Sequence, residues 1–270
     1  PKDPVTGIAF DSANAALYIA TGGHTIEKCF ISTDCDNTSD WAVVYDTVSV
    51  SFWSLVYDPN TLAFYAGDEN GNIRRCATST GCDSGATDWK IVLNTDYLQV
   101  TNIVALTSTP GYSITEKALY ANIIESVFGN ASLVYRCEIS TGCDVSTEWV
   151  ISFNGVSTSD QIWSLAIDVE NGVIYGAASD SMGSVGGELW RCDIKNTSCN
   201  AMVDWSTVYN IANTNFVAPV IVNGILYIGE DTAGFGGLYI DRCELSTGCD
   251  NELDFSRYSI TGSGSNIYSI

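Results

Sequence analysis

Short apolar runs alternate with turn residues along the whole chain. The run VTGIAFD is separated from ALYIAT by SANA, and FWSLVYD is separated from LAFYAGD by PNT. Runs of this length, rich in β-branched and aromatic side chains and bounded by Gly, Pro, Asn, Asp or Ser, predict β-strands. The sequence therefore predicts an all-β protein with many short strands.

One stretch, VYRCEISTGCDVSTEWV at residues 134–150, occurs in five similar copies. The first cysteines of the copies are spaced by 47, 61, 55 and 51 residues. Self-similarity at this period indicates a repeat architecture such as a propeller. The other copies read IEKCFISTDCDNTSDWAVV, IRRCATSTGCDSGATDWKIV, LWRCDIKNTSCNAMVDWSTV and IDRCELSTGCDNELDFSRY.

Each copy predicts a β-hairpin closed by a disulfide. An apolar run ends in a basic residue and Cys, turn-type residues follow, and a second Cys precedes a return run that opens with an acid and an aromatic. Zinc would need four gathered ligands, and the single histidine, His24, cannot complete five such sites. Local spacing predicts the pairs Cys29–Cys35, Cys76–Cys82, Cys137–Cys143, Cys192–Cys199 and Cys243–Cys249.

Two strands precede each cysteine hairpin, so each repeat contains four antiparallel strands, which we name a, b, c and d. We expect a five-bladed β-propeller that forms a single domain over residues 1–270. Six blades, or a fragment of a larger propeller, are the alternatives. The repeats cover approximately residues 1–50, 51–99, 100–159, 160–213 and 214–264, with an extra strand at 265–270.

The segment VYDPNTLAFYAGDENGNIRRC resembles the repeat of the lipoprotein-receptor YWTD propellers and of the related NHL type. In that pattern an Asp ends the inner strand, a Tyr lies in the second strand and an Arg follows in the third. The cysteine hairpins are not part of it. The resemblance implies a propeller fold and extracellular binding, and it transfers no site residue.

Composition indicates where the protein acts. The net charge of −21 makes nucleic acid and anionic membranes poor partners, and no run of 18 apolar residues could span a membrane. Paired cysteines indicate an oxidising compartment, and a chain that starts at Pro1 without an apolar leader is consistent with a mature secreted protein. Three sequons predict N-linked glycans at Asn37, Asn130 and Asn196.

Three aspartates, Asp11, Asp58 and Asp168, share one place at the end of strand a. Five-bladed glycosidases carry carboxylates on inner strands, so a catalytic interpretation exists. Repetition favours turn capping instead, because catalysis needs unlike groups and a turn needs the same Asp each time.

A basic residue precedes each first cysteine, and an acid followed by an aromatic opens each return strand. We expect a repeated ion pair across the hairpin or a cation stacked on the aromatic, rather than a ligand site. The cations are Lys28, Arg75, Arg136, Arg191 and Arg242, the acids are Asp40, Asp88, Glu148, Asp204 and Asp254, and the aromatics are Trp41, Trp89, Trp149, Trp205 and Phe255.

Other candidate chemistry is weak. The segment Asp68-Glu69-Asn70-Gly71-Asn72 resembles the opening of a calcium loop, but it lacks the distal ligands, so we predict an Asn-Gly turn. His24 has no partner motif for a triad. We predict no metal, cofactor or catalytic residue.

These patterns favour an extracellular, glycosylated, non-catalytic structural or adhesive protein. Its expected partners are copies of itself, surface proteins or glycans. Specific contacts are expected on the long b–c loops at residues 122–132, 178–188 and 229–237, and the strand at 265–270 could pair with a neighbouring molecule and generate filaments. The alternatives are a lectin, because a five-bladed propeller with aromatic-rich repeats resembles the tachylectin type, and a polysaccharide-cleaving glycosidase.

Overall fold

The computed structural model describes residues 3–95, 99–106, 117–124, 132–155, 161–179, 186–212, 214–231 and 238–260. Within these ranges, twenty strands form five four-stranded antiparallel sheets, and the strands of each sheet follow one another in chain order. The predicted pattern of four strands per repeat is confirmed.

The first two sheets consist of β1 (Val5–Asp11), β2 (Ala16–Thr21), β3 (Thr25–Phe30) and β4 (Ala42–Asp46), and of β5 (Phe52–Asp58), β6 (Ala63–Asp68), β7 (Asn72–Ala77) and β8 (Lys90–Asn94). The third sheet consists of β9 (Gln99–Leu106), β10 (Ala118–Ile124), β11 (Ser132–Glu138) and β12 (Trp149–Asn154). The last two consist of β13 (Gln161–Asp168), β14 (Val173–Ser179), β15 (Gly187–Asp193) and β16 (Trp205–Ile211), and of β17 (Asn215–Val222), β18 (Ile225–Asp231), β19 (Leu238–Glu244) and β20 (Phe255–Ile260).

Contacts divide the chain into two compact units. The first unit comprises Pro1–Thr107, Lys117–Ile123 and Arg136–Val150, and it includes the first two sheets. The second unit comprises Ser108–Glu116, Ile124–Tyr135 and Ile151–Ile270, and it includes the last two sheets. That the whole chain behaves as a single domain stays a prediction.

Central strands are buried on both faces, which explains why they read as continuous apolar runs rather than as alternating ones. All six residues of β6 are buried. In the first unit the rings of Tyr18 and Phe64 lie 4.1 Å apart, and Trp89 stacks on Tyr45 at 5.9 Å. In the second unit Tyr209 stacks between Phe216 at 5.3 Å and Phe255 at 4.3 Å. Each unit therefore has an aromatic core that joins successive sheets.

Two glycines allow close packing of neighbouring strands in the first unit. A Cβ at Gly67 would lie 2.4 Å from Cγ1 of Val100, and a Cβ at Gly7 would lie 2.6 Å from the backbone nitrogen of Leu55. Both distances are far below van der Waals contact. Any larger residue at either position would therefore push two strands apart.

Each sheet carries one disulfide in the connection between its third and fourth strands, as the fold prediction requires. In all five pairs the two Cα atoms lie 5.8 or 5.9 Å apart. The bonded pairs are Cys29–Cys35, Cys76–Cys82, Cys137–Cys143, Cys192–Cys199 and Cys243–Cys249.

Candidate functional site

The disulfide hairpins repeat one local geometry that the sequence pattern only partly predicts. A single helical turn follows the first cysteine; it is a 3-10 turn in four hairpins and the short helix α1 (Ile194–Thr197) in the fourth repeat. The second cysteine and the residue before it then both adopt positive φ, for example 106° at Gly142 and 51° at Cys143. Glycine adopts this conformation without a steric cost, which explains the recurrent Gly-Cys pair.

A second 3-10 turn follows the second cysteine of each hairpin, and the acid that precedes the aromatic residue caps the backbone of this second turn. Asp88 Oδ2 accepts the backbone N–H of Ser84 at 2.9 Å, and Glu148 Oε2 accepts that of Asp144 at 2.8 Å. Asp40, Asp204 and Asp254 accept equivalent bonds of 3.0, 3.0 and 3.2 Å. Their carboxylates are therefore engaged locally.

The predicted ion pair across the hairpin is consequently wrong for three of the basic residues. Lys28 instead contacts Asp83 at 3.1 Å, Arg191 contacts Asp193 at 3.7 Å, and Arg242 contacts Glu244 at 2.9 Å. The sequence pattern did not reveal the 3-10 turn, whose unpaired N–H groups compete for the acid.

The stacking partners also differ from the prediction. Lys28 lies 5.4 Å from the ring centroid of Tyr18, and Arg75 lies 5.9 Å from that of Tyr65. Both tyrosines belong to the second strand of the repeat. The aromatic residue after the acid has another role, because Trp41 and Trp89 donate through Nε1 to the backbone oxygens of Cys35 and Cys82 at 3.3 and 3.4 Å.

Tyrosines of the second strands connect successive repeats within each unit. Tyr65 donates to the backbone oxygen of Gly142 at 3.3 Å, and Tyr175 donates to that of Gly248 at 3.4 Å. Burial raises the pKa of Tyr65, and it raises the pKa of Tyr175 to about 12, so both phenols remain donors at neutral pH. These contacts position the disulfide hairpin of the following repeat.

The turn-capping interpretation of the three repeated aspartates is confirmed. Asp11 accepts the N–H of Ala13 at 3.0 Å, Asp58 accepts that of Asn60 at 3.0 Å, and Asp168 accepts that of Glu170 at 3.1 Å. All three carboxylates are buried at the first turn of their sheets.

The calcium-like segment is the predicted Asn-Gly turn. Oδ1 of Asp68 accepts the N–H groups of Asn70 and Asn72 at 3.0 and 2.9 Å, and Gly71 has a φ of 75°. The other oxygen, Oδ2, contacts Nε of Arg74 at 3.1 Å. Within the described ranges, no group of three or more His, Cys, Asp or Glu side chains is arranged to hold a metal ion.

His24 lies in the β2–β3 turn with a φ of 80°. Its backbone oxygen accepts the N–H of Thr47 at 3.1 Å. Its Nδ1 is buried without a hydrogen-bond partner among the described residues. The residue therefore has a turn-forming role in the part of the chain that the structure describes.

A buried polar cluster in the last sheet was missed by the sequence analysis. Glu230 and Asp241 are both fully buried, and Arg257 contacts Oε2 of Glu230 at 2.5 Å and Oδ1 of Asp241 at 3.5 Å. Tyr209 donates to Asp241 at 3.2 Å and Thr214 donates to Glu230 at 3.0 Å. We call these five residues the carboxylate cluster.

Two buried acids with one cation leave an excess negative charge. Burial, and then the adjacent Glu230, raise the pKa of Asp241 to about 8. Burial raises the pKa of Tyr209 as well, and the Asp241 carboxylate adds to this effect. Burial opposes the charge of Arg257, but Glu230, Asp241 and Tyr209 together favour it, so the pKa of Arg257 rises. The cluster therefore favours one protonated carboxyl group at neutral pH.

A sequence signal for the cluster did exist. The position two residues before the first cysteine holds Glu27, Arg74, Tyr135 and Trp190 in the first four repeats, and it holds Asp241 in the last. In the second sheet, Arg74 at this position neutralises Asp68. The fifth repeat has an acid where the second has a base.

Large apolar side chains are exposed on the edge strands of several sheets. In the first strand, β1, the side chains of Ile8 and Phe10 are 63% and 48% exposed. In the fourth strands β4 and β8, Val43 and Ile91 are 57% and 48% exposed, and each lies two residues after a tryptophan. These fourth strands lie at the ends of their sheets, so one backbone edge of each is unpaired within the sheet.

Two tryptophans are exposed at β-bulges in first strands. The register of β5 shifts between Phe52 and Ser54, and Trp53 between them is 42% exposed. The register of β13 shifts between Ile162 and Ser164 around Trp163, which is 37% exposed. A bulge redirects a side chain out of the regular alternation, which accounts for the exposed indole rings.

The last two sheets also border a shallow polar cleft of about 530 Å³. Glu170, Asn223, Glu244 and Ser246 are among its lining residues. Lys195 donates to the backbone oxygen of Glu170, and Glu244 is paired with Arg242. Glu244 is therefore a lining side chain held in an ion pair, and the contact to Glu170 is made through its backbone.

The predicted glycosylation sites and binding loops lie partly inside and partly outside the described residues. Asn37 and Asn196 are exposed beside or within disulfide hairpins, whereas Asn130 lies outside the described residues. Most of the long b–c loops and the segment at 265–270 also lie outside them. Among the described residues, no helix is sufficiently long and apolar to cross a membrane.

Comparisons with known proteins support the fold and identify no family. No family model matches the chain, and no curated protein is significantly similar to it in sequence. A chain in the crystal structure of a nidogen/laminin complex is similar with a TM-score of 0.59, covering 94% of this chain and 80% of that chain at 11% sequence identity. Identity this low shows the fold alone. With five four-stranded sheets, the protein is a five-bladed β-propeller.

Proposed function

We propose that this propeller is an extracellular, non-catalytic protein that makes structural or adhesive contacts with other proteins or with copies of itself. The exposed apolar side chains on the edge strands support this proposal. A chain with net charge −21 gains solubility from its acids, so large apolar side chains at unpaired strand edges are a cost unless a partner covers them.

The disulfides support the extracellular part of the proposal. Five bonds that staple solvent-facing hairpins persist only in an oxidising environment. The exposed sequons at Asn37 and Asn196, together with Asn130, are proposed to carry N-linked glycans in that environment.

Strand addition is the contact mode that fits these edges. An added strand would hydrogen-bond to the free edge of β4 or β8, while Val43 or Ile91 supplies apolar contact. We propose that the segment at 265–270, SNIYSI, is such a strand, because its Ile267, Tyr268 and Ile270 offer apolar side chains that would pack on an exposed apolar edge. A head-to-tail contact that does not close would then generate filaments.

Self-association can be tested by light scattering and sedimentation on the purified glycoprotein. The wild type should form concentration-dependent oligomers. Deletion of residues 265–270 or the double substitution Val43→Lys and Ile91→Lys should yield folded monomers with an unchanged circular dichroism spectrum. The control is Val203→Lys, which changes a 90% exposed residue outside the strands. A wild type that stays monomeric at every concentration would exclude the self-association part.

A lectin is the second candidate, and the exposed indoles of Trp53 and Trp163 favour it. Sugars stack on exposed aromatic rings that a rigid strand presents. A glycan array should then show binding that is lost separately in Trp53→Ala and in Trp163→Ala. An array without any signal would exclude the lectin, and contacts with proteins would then be the proposed function.

A further inference from the structure

Glu230 and Asp241 form a site whose charge is not balanced by the residues that the structure describes. Both side chains are fully buried, and Oε1 of Glu230 and Oδ2 of Asp241 have no hydrogen-bond donor among the described residues. The other oxygen of each acid accepts from Thr214 or Tyr209 and contacts Arg257. A buried carboxylate oxygen without a donor is strongly unfavourable, so the site needs one more positive charge or one proton.

The cluster connects three neighbouring strands. Glu230 lies on β18, Asp241 on β19 and Arg257 on β20, while Tyr209 approaches from β16 and Thr214 precedes β17. The guanidinium of Arg257 also lies 4.9 Å from the ring centroid of Tyr239 on β19. Among the described residues these are the charged and titratable groups that face the acids, and Arg257 is the one cation.

The second sheet shows how the charge of a buried acid at an equivalent position is balanced. Asp68 and Glu230 each lie four residues after the partner of a first cysteine, namely Phe64 and Leu226. Asp68 contacts Arg74 at 3.1 Å, and Arg74 in turn donates to Tyr45 at 2.7 Å. In the last sheet Asp241 replaces this arginine, and Arg257 must serve two acids. One arginine neutralises one carboxylate in the second sheet, whereas in the last sheet one arginine faces two carboxylates and leaves one negative charge without a counter-charge among the described residues.

We propose that Glu230 and Asp241 share one proton in the folded protein, and that this proton is a pH-sensitive latch that holds β20 onto its sheet. When the proton leaves, the two carboxylates repel each other in a space closed to solvent. Water can enter most readily along β20, because β20 is the last strand of its sheet and the side chain of Arg257 is 37% exposed. Alkaline pH therefore loosens β20.

The direction of the effect follows from proton linkage. Folding raises the pKa of Asp241 from the ordinary 3.8 to about 8, so the folded protein holds a proton that the unfolded protein releases. Stability consequently decreases as pH rises through this interval and levels off above it. General charge repulsion in this acidic protein also increases with pH, so the test compares variants rather than pH values alone.

Thermal unfolding of the intact protein between pH 5 and pH 9 provides the first test. The Tm of the wild type should fall by roughly 5 °C more than that of Asp241→Asn or Glu230→Gln, since neither variant can form the charged pair. Asp68→Asn, which removes the single acid of the second sheet, should retain the wild-type decrease. Identical pH dependence in the wild type and in Asp241→Asn would overturn the proposal.

A second measurement needs no variant. Hydrogen exchange, corrected for the intrinsic effect of pH, should show that Phe255–Ile260 loses protection on going from pH 6 to pH 9, whereas the equivalent strand Lys90–Asn94 does not. Equal behaviour of the two strands would exclude the latch. A Ca²⁺-dependent rise in Tm at pH 8 that disappears in Asp241→Asn would show that the site takes a metal ion, and it would likewise overturn the proposal.

Discussion

The phenol of Tyr65 donates a hydrogen bond of 3.3 Å to the backbone oxygen of Gly142, which lies 77 residues further along the chain. Gly142 directly precedes the second cysteine of the third repeat, so a strand of one repeat holds the disulfide hairpin of the next. Tyr175 and Gly248 repeat the contact at 3.4 Å in the second unit.

Removal of either phenol should therefore destabilise the protein. We expect Tyr65→Phe and Tyr175→Phe each to lower the free energy of unfolding by about 1 kcal/mol, because each leaves a backbone oxygen without its donor. Their effects should add, since the two sites lie in different units and share no residue. Urea unfolding of the single and double variants measures this, and an unchanged midpoint for both single variants would contradict it.

The positive φ angles in the hairpins predict a stabilising substitution. Asp34 has a φ of 68° at a position where three other repeats have glycine. We expect Asp34→Gly to raise the free energy of unfolding by roughly 0.5 to 1 kcal/mol, since relief of steric strain exceeds the entropic cost of glycine.

The reverse change is the matched control for that substitution. Gly142 has a φ of 106°, and Gly142→Ala should destabilise the protein by about 1 kcal/mol or more. Differential scanning calorimetry of the two variants compares them directly. Opposite signs are expected, and a destabilised Asp34→Gly would show that the aspartate side chain contributes more than its backbone strain costs.

The capping role of the hairpin acids can be separated from an ion-pair role by salt. Asp88→Ala removes the acceptor for the N–H of Ser84 and should cost about 1 kcal/mol, with little change between low and high ionic strength. Asp83→Ala removes the exposed partner of Lys28 and should lower the free energy of unfolding by between about 0 and 1 kcal/mol. This decrease should become smaller at high ionic strength, because salt screens the ion pair. A strongly salt-dependent cost for Asp88→Ala would instead indicate a long-range charge effect.

The two described sequons should differ in glycan occupancy. Asn37 lies after its disulfide loop, whereas Asn196 lies inside the loop closed by Cys192 and Cys199, where its amide donates to Asp193 at 2.8 Å. Early closure of that loop should limit modification of Asn196. Glycopeptide mass spectrometry of the double variant Cys192→Ser and Cys199→Ser should show higher occupancy at Asn196 and unchanged occupancy at Asn37; equal occupancy at Asn196 with and without the disulfide would refute this.

Repetition explains what the sequence predicted correctly. Cysteine spacing fixes local pairing because two residues separated by six or seven positions can meet only in a tight hairpin. The aspartates at Asp11, Asp58 and Asp168 could be assigned to turns because their function is satisfied within four residues. Local chemistry of this kind is visible in a sequence.

Contacts that depend on competition or on distant partners were not predictable in the same way. The pattern placed Asp88 opposite Arg75, but the N–H of Ser84 lies closer to the carboxylate than any cation does. The carboxylate cluster draws on four different strands, and Arg257 resembles an ordinary solvent-facing residue until its neighbours are known. Sequence periodicity gives the strands but not which charged residues are enclosed between them.

The contact between a second-strand tyrosine and the next hairpin also bears on how the chain could have evolved. A duplicated repeat would carry both the donor for its successor and the acceptor for its predecessor; Tyr65 of the second repeat and Gly142 of the third are one such donor and acceptor. Gene duplication could therefore lengthen or shorten the array without inventing a new interface. Divergence would then be concentrated in single positions, such as the one that holds Arg74 in the second repeat and Asp241 in the last.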